Sequence, residues 1–234
     1  MRVLAVGAHP DDLEILCGGT LARFAREGHD VVMCHATTGD KGSFVHSSEE
    51  VSRIRVTEAR RAAEICGAEH ATLSFADGEV NAADAAQQRA VVELVRDVRP
   101  DVILTHSPGD YHSDHNEISK LVFDCSFHAT LPLYVTGKPH HDKVVPIFFI
   151  ETVAGIGFSP TEYVDISGVI DVKTAMLEAH ESQLTWLRDH DGVDIVEQLQ
   201  VWSRFRGIQC AVAYAEGFVP CSAWLRGAPH RLLP

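Results

Sequence analysis

The sequence predicts an α/β domain with a Rossmann-like, mostly parallel sheet and helices on both faces. Two observations lead there. Across the first half of the chain, short apolar runs alternate with amphipathic helical stretches, the β-α-β pattern that builds parallel strands. Two of those runs end in dense clusters of histidine and aspartate, and parallel sheets gather ligand-binding groups beyond the carboxyl ends of their strands.

The elements follow in order. Residues 3–6 read as a buried strand, then a turn and a helix over 17–27, ended by Gly28-His29-Asp30. Residues 31–36 form a second strand. A long amphipathic helix spans 48–66, with Ser47 or Ser48 as its cap, Glu49 and Glu50 suited to its N-terminal dipole, and Gly67 as its stop. A short strand at 71–75 and a helix over 82–98 come next, with Pro100 closing the helix before a fourth strand at 101–105. A helix at 116–125 leads into an irregular stretch, 128–143, which carries a His140-His141 pair and is read as a pocket border or a surface loop. A fifth strand at 144–150, a short strand at 163–166 and helices over 169–189 and 193–210 complete the reading. The apolar segment 218–225 serves either the core or an interface. No repeat, linker or low-complexity tract interrupts the chain, so residues 1–234 are read as one domain.

Composition narrows the function. With 20 basic and 33 acidic residues the formal charge is −13, which disfavours nucleic acid and anionic membrane as main partners. The chain starts directly on a strand, without the basic and apolar regions of a signal peptide. Its six cysteines are scattered, with no C-x-x-C pair, which suits reduced core thiols and a cytoplasmic location. The first βα turn lacks G-x-G-x-x-G, and no G-x-x-x-x-G-K-[ST] occurs, so dinucleotide and P-loop readings fail.

The chemistry concentrates at two strand ends. Gly7-Ala8-His9-Pro10-Asp11-Asp12-Leu13-Glu14 places an imidazole and three carboxylates after the first strand, with proline fixing the turn. So many ionisable groups beside a buried strand need a cation or solvent to receive them; the plainer alternative is a polar loop with Asp12 capping the next helix. The fourth strand runs into His106-Ser107-Pro108-Gly109-Asp110-Tyr111-His112-Ser113-Asp114-His115. Together the clusters can supply two imidazoles and one carboxylate with a position open to water, the usual pattern of catalytic zinc, although the same donors suit other divalent ions.

At this point the sequence resembles the LmbE-like or PIG-L family of zinc-dependent de-N-acetylases. The matching elements are Ala8-His9-Pro10-Asp11-Asp12 with Glu14, Gly18-Gly19-Thr20-Leu21, Thr38-Gly39-Asp40, Arg55-x-x-Glu58 and Asp77-Gly78. They continue in family order with His112-x-Asp114-His115, Val164-Asp165-Ile166-Ser167, His180-x-Ser182-Gln183 and Tyr214-Ala215-Glu216. The resemblance implies one zinc ion per chain on His9, Asp12 and His115, Asp11 as general base, and His112 as oxyanion stabiliser or proton donor, oriented by Asp114. It implies Arg55 and Asp77 as a sugar-binding pair, with Asp110 and His180 as further pocket residues, His180 being equally readable as a structural histidine. Glu14 is read as a support for the metal ligands. Ser113 stands where the family often has proline, and Tyr111 lies one position away from the tyrosine of some relatives, so it receives no role. The implied reaction hydrolyses the acetamide of an N-acetylglucosamine-type sugar or glycoside, with a homo-oligomer expected. Two alternatives stay open: a zinc amidase acting on a larger acyl group, and a non-catalytic sugar-binding module.

Overall fold

The computed structural model describes all 234 residues. Seven strands form one sheet in the order β3-β2-β1-β4-β5-β7-β6. Its parallel part comprises β1 (Arg2–Gly7), β2 (Asp30–Thr37), β3 (Glu69–Phe75), β4 (Val102–His106) and β5 (Ile147–Ile150). At one edge β7 (Ala215–Pro220) runs antiparallel to β5, and β6 (Glu162–Asp165) antiparallel to β7. The helices are α1 (Asp12–Arg26), α2 (Ser48–Cys66), α3 (Ala85–Val98), α4 (Ser113–His128), α5 (Ile170–Glu178), α6 (Glu181–Asp191) and α7 (Ile195–Gln209). None is long and apolar enough to cross a membrane.

The sheet is buried on both faces, so its central strands are apolar without a break. Along β1 the two-residue period sends Val3 and Ala5 to one core and Leu4 and Val6 to the other. The first core packs against α1, α2, α5 and α7; the second packs against α3 and α4. Leu4, Leu13, Leu21 and Phe24 are wholly buried, each contributing about 1.5–3 kcal/mol relative to exposure. Five of the six cysteines are buried as free thiols.

Strand order reverses between β1 and β4: the chain winds outward from β1 to β3, then returns to place β4 on β1's other side. The carboxyl ends of β1 and β4 therefore open a crevice at the switch point. Both histidine–aspartate clusters issue from those two ends.

Several boundaries differ from the expectation, for physical reasons. Helices α1 and α4 begin at Asp12 and Ser113, earlier than expected, because their first turns bury the charged groups Asp12 and Glu14, and Asp114 and His115, which interrupt the apolar pattern. Ser47 caps α2 through a reciprocal capping box with Glu50. The helix expected over 169–189 breaks at His180, whose fully buried ring reaches inward to Glu14. Ser182 then ties the new helix to α2 through Glu58. Strand β7 was not expected; Phe218, taken as part of an interface or core segment, lies buried within it. The 128–143 stretch runs along α3, where Arg96 donates to the carbonyls of Ala129, Leu131 and Lys138 and Lys143 pairs with Asp101. That position is at the amino end of β4, away from the crevice, so His140 and His141 do not border the site.

Candidate metal and catalytic site

The turn after β1 is held in a strained shape. Asp11 has φ +123°, a conformation that costs a non-glycine residue about 1–3 kcal/mol and persists only where neighbours over-determine it. They do so here. The Asp12 carboxylate accepts the His9 N–H at 2.6 Å, the Ile15 N–H bonds to the Asp11 carbonyl at 3.0 Å, and Arg55 donates to the Pro10 carbonyl at 2.6 Å. The strained turn presents the Asp11 and Asp12 carboxylates, both largely buried, to the same cavity.

Hydrogen bonds decide which nitrogens remain free to bind a cation. His115 Nδ1 faces the Asp110 carboxylate at 3.0 Å, leaving Nε2 directed at Asp12 Oδ1, 3.3 Å away. His9 Nε2 faces Asp114 at 3.2 Å, leaving Nδ1 directed at Asp12 Oδ2, also 3.3 Å away. Two further imidazoles stand close enough to be considered. His106 Nε2 takes the Ala8 N–H at 2.9 Å and also stands 3.3 Å from Asp12 Oδ2, and burial with the neighbouring His115 lowers its pKa to about 4, so it is a neutral ring whose facing nitrogen is shared with a backbone donor. His112 spends its Nδ1 lone pair on the Asp114 N–H at 3.2 Å. Its neutral ring therefore carries the proton on Nε2 and acts as a donor. Three of the four rings face Asp12 at 3.3 Å, and of these only His9 and His115 have the facing nitrogen free of a backbone donor.

The electrostatics agree. Burial works against charge on His9, yet Asp114, Asp12 and Asp77 outweigh it and raise its pKa to about 10. Burial likewise opposes charge on His115, and Asp12 and Asp110 raise it to about 9. The site is built to hold positive charge, which a divalent ion would supply in place of ring protons, so metal binding would release protons. Each ring is backed by its own carboxylate, the arrangement that orients metal-binding histidines and raises their basicity.

Asp11 is the remaining buried carboxylate. Burial raises its pKa to about 6 against the opposing charge of Arg55, whose Nη2 lies 3.6 Å away. An exposed aspartate near pKa ~3.9 would be a weak base; desolvation brings this one closer to the range a general base needs.

The other expected site residues divide into two groups. Arg55 and Asp77 reach the cavity, but both also hold its wall: Arg55 donates to the carbonyls of Pro10 and Gly39, while Asp77 accepts the Gly39 N–H at 3.0 Å. A Cβ at Gly39, whose φ is +69°, would collide with the Arg55 guanidinium, so glycine is required for this fit. Asp110 and His180 do not line the cavity. The Asp110 side chain is wholly buried behind His115, and His180 is wholly buried against Glu14. Asp114, expected to orient His112, directs its carboxylate to His9 and offers His112 only its backbone N–H. Glu14 lies between His35 and His180 at 3.2 Å from each, and these rings outweigh burial to hold it below the usual carboxylate range. Sequence reasoning did not assign Gln183, Trp186 and Lys41 to the cavity, which all three line; Gln183 stands within a quoted motif, the one signal that marked it.

Comparison with known proteins gives consistent results. Residues 4–126 match the PIG-L family, described as GlcNAc-PI de-N-acetylase. The diacetylchitobiose deacetylase of Thermococcus kodakarensis is 31% identical, covering 94% of this chain and 83% of the relative. A 1D-myo-inositol 2-acetamido-2-deoxy-alpha-D-glucopyranoside deacetylase of Rhodococcus opacus is 27% identical over 79% of this chain and 82% of its own length. In structure, the 4-carboxy-2-hydroxymuconate hydratase GalB of Pseudomonas putida KT2440 superposes with a TM-score of 0.84 at 23% identity, covering 99% of both chains. That likeness shows the fold alone, and a hydratase on the same fold means the reaction must be argued from the site.

Proposed function

Since the chain belongs to the PIG-L family of GlcNAc-PI de-N-acetylases, we propose that it is a zinc-dependent hydrolase that removes the acetyl group from an N-acetylglucosamine-type sugar or glycoside. The observation that supports the metal assignment is the hydrogen-bond accounting around four imidazoles, which favours His9, Asp12 and His115 as the donor set over His106 and His112. Two nitrogens and a carboxylate oxygen suit zinc, with a further position left for water. When bound, such an ion lowers the pKa of its water towards about 7 and polarises a carbonyl.

The chain's own groups supply the rest. Asp11, buried at the cavity floor and held by the strained turn, takes the proton of the attacking water. His112 directs its Nε2–H at the acetyl oxygen as negative charge develops there, a fixed donor that needs no reorganisation. The proton then passes to the sugar nitrogen, the C–N bond breaks, and the amine and acetate leave. Arg55 keeps the turn and the β2–α2 loop in register through Pro10 and Gly39, so its contribution is as much positioning as sugar binding.

Deacetylation is favoured over cleavage of larger acyl groups by the relatives' shared chemistry. A panel of N-acetyl, N-butyryl and N-octanoyl glucosamines separates the two. The acetyl compound should show the highest kcat/KM, measured as free amine. A preference for the octanoyl compound would assign the chain to amidases of larger acyl groups. The cysteines, scattered and mostly core, support a cytoplasmic setting, and the exposed row Val201, Phe205 and Ile208 on α7 supports a homo-oligomer.

A further inference from the structure

The loop between β4 and α4, residues 107–112, carries two groups on which the site depends: the Asp110 carboxylate behind His115 and the His112 ring at the cavity. No backbone–backbone hydrogen bond holds residues 107–111, and Pro108 and Gly109 lie exposed. A single side chain supplies the tie. Asn116, in the first turn of α4, accepts the Asp110 N–H on Oδ1 at 3.0 Å. Through Nδ2 it donates to the Asp110 carbonyl at 2.7 Å and to the His112 carbonyl at 3.1 Å. An amide side chain offers two N–H donors and a carbonyl acceptor, and here both ends are spent on one three-residue turn. The consequence reaches His112. This residue occupies the N-cap of α4, a place usually taken by serine, threonine, aspartate or asparagine. Its ring Nδ1 takes the Asp114 N–H at 3.2 Å, and its own N–H goes to Asp110 Oδ1 at 2.9 Å. Its carbonyl receives both the backbone N–H and the side-chain amide of Asn116. Nε2 is the one polar group of His112 left free. Asn116 does not line the cavity, so it can act there only through the turn.

We propose that Asn116 is a positioning residue, which locks the 110–112 turn so that His112 stays at the N-cap with Nε2–H free to act and Asp110 stays behind His115. The proposal rests on the de-N-acetylase reading for what His112 does in the reaction. Water can take over the hydrogen bonds of a half-buried amide, so losing Asn116 costs little stability. Water cannot fix the shape of a turn, and a displacement of about 1 Å at a reacting group can cost on the order of 10²-fold in rate. Asn116 therefore governs rate far more than stability.

The test compares zinc-loaded Asn116→Ala and Asn116→Asp proteins with the unmodified one, by acetate release from N,N′-diacetylchitobiose, thermal unfolding and NMR. Asn116→Ala should lower kcat about 10–100-fold with KM changed less than about twofold. Its unfolding midpoint should fall by no more than about 4 °C, the scale of one lost cap. Asn116→Asp keeps an acceptor for the Asp110 N–H but turns an oxygen towards two carbonyl oxygens. It also adds negative charge to the first turn of α4, which favours the helix. Its unfolding midpoint should therefore equal or exceed that of the alanine variant, while kcat is at least as low. The ring itself is read by nitrogen NMR of the histidines at neutral pH. Unmodified protein should show His112 as one tautomer protonated at Nε2, and Asn116→Ala should show averaged ring shifts. Unchanged kcat in Asn116→Ala, a kcat that follows unfolding temperature across both variants, or an unaltered His112 tautomer would overturn the proposal. No acetate release from the unmodified protein would reject the hydrolytic reading, and the NMR comparison would then decide the positioning role alone.

Discussion

Asp11→Asn is expected to lower kcat by about 10²–10⁴-fold, the contribution of a positioned general base, while bound zinc stays near one equivalent. The two halves of that result come from different features. Asn preserves the size of the side chain and the constraints that hold the +123° backbone angle, since those act through Asp12, Pro10 and the Asp11 carbonyl rather than through the Asp11 side chain. It removes the only buried carboxylate at the cavity floor that is not engaged by an imidazole. Arg55, 3.6 Å away, loses an ion-pair partner but keeps both carbonyl contacts, so the turn should stand. Metal analysis beside steady-state kinetics checks the outcome. Near-wild-type turnover would remove Asp11 from the reaction, and loss of zinc would move it into the ligand set.

The second large effect concerns the metal. His115→Ala should abolish stable zinc binding, because it removes one of two free imidazole lone pairs and leaves Asp110 Oδ2 buried without a partner, Oδ1 keeping the His112 N–H. Asp110→Asn should retain the ion with roughly 10–100-fold weaker affinity, the usual cost of losing a carboxylate that orients a metal-bound histidine. His106→Ala, by contrast, should leave affinity largely intact, since that ring's lone pair belongs to the Ala8 N–H. Competition with a chelator ranks the three. A His106 variant that loses zinc as completely as the His115 variant would favour the alternative trio of Asp12, His106 and His115, which lies within reach of one ion.

Much of this was readable in the sequence because the fold converts order into position. Strand–turn–helix units place whatever follows a parallel strand at its carboxyl end, so His9 to Asp12 and His112 to His115 had to approach once β1 and β4 were neighbours. What sequence could not give was the pairing of hydrogen bonds inside the cluster. Asp110 and Asp114 each stand two residues from His112, and although Asp114 is the immediate neighbour of His115, the geometry of the α4 first turn sends the Asp110 carboxylate to His115 and that of Asp114 across to His9. His180 stayed open between pocket and structural histidine for a related reason: a histidine within a helical pattern gives no sign that it breaks the helix to reach a buried glutamate. Strand β7 escaped notice because Glu216 and Gly217 interrupt its apolar pattern and it pairs with strands distant in sequence. Trp186 carried no signal either, since only the break at His180 brings α6 to the cavity's edge.

The central claim is that the ion held by His9, Asp12 and His115 is what makes this site hydrolytic. Acetate release from N,N′-diacetylchitobiose, followed while metal-stripped protein is titrated with zinc, tests it most directly. Turnover should be absent at the start, rise linearly and level off at one zinc per chain. Full acetate release from the stripped protein, or none at one equivalent of bound zinc, would contradict it.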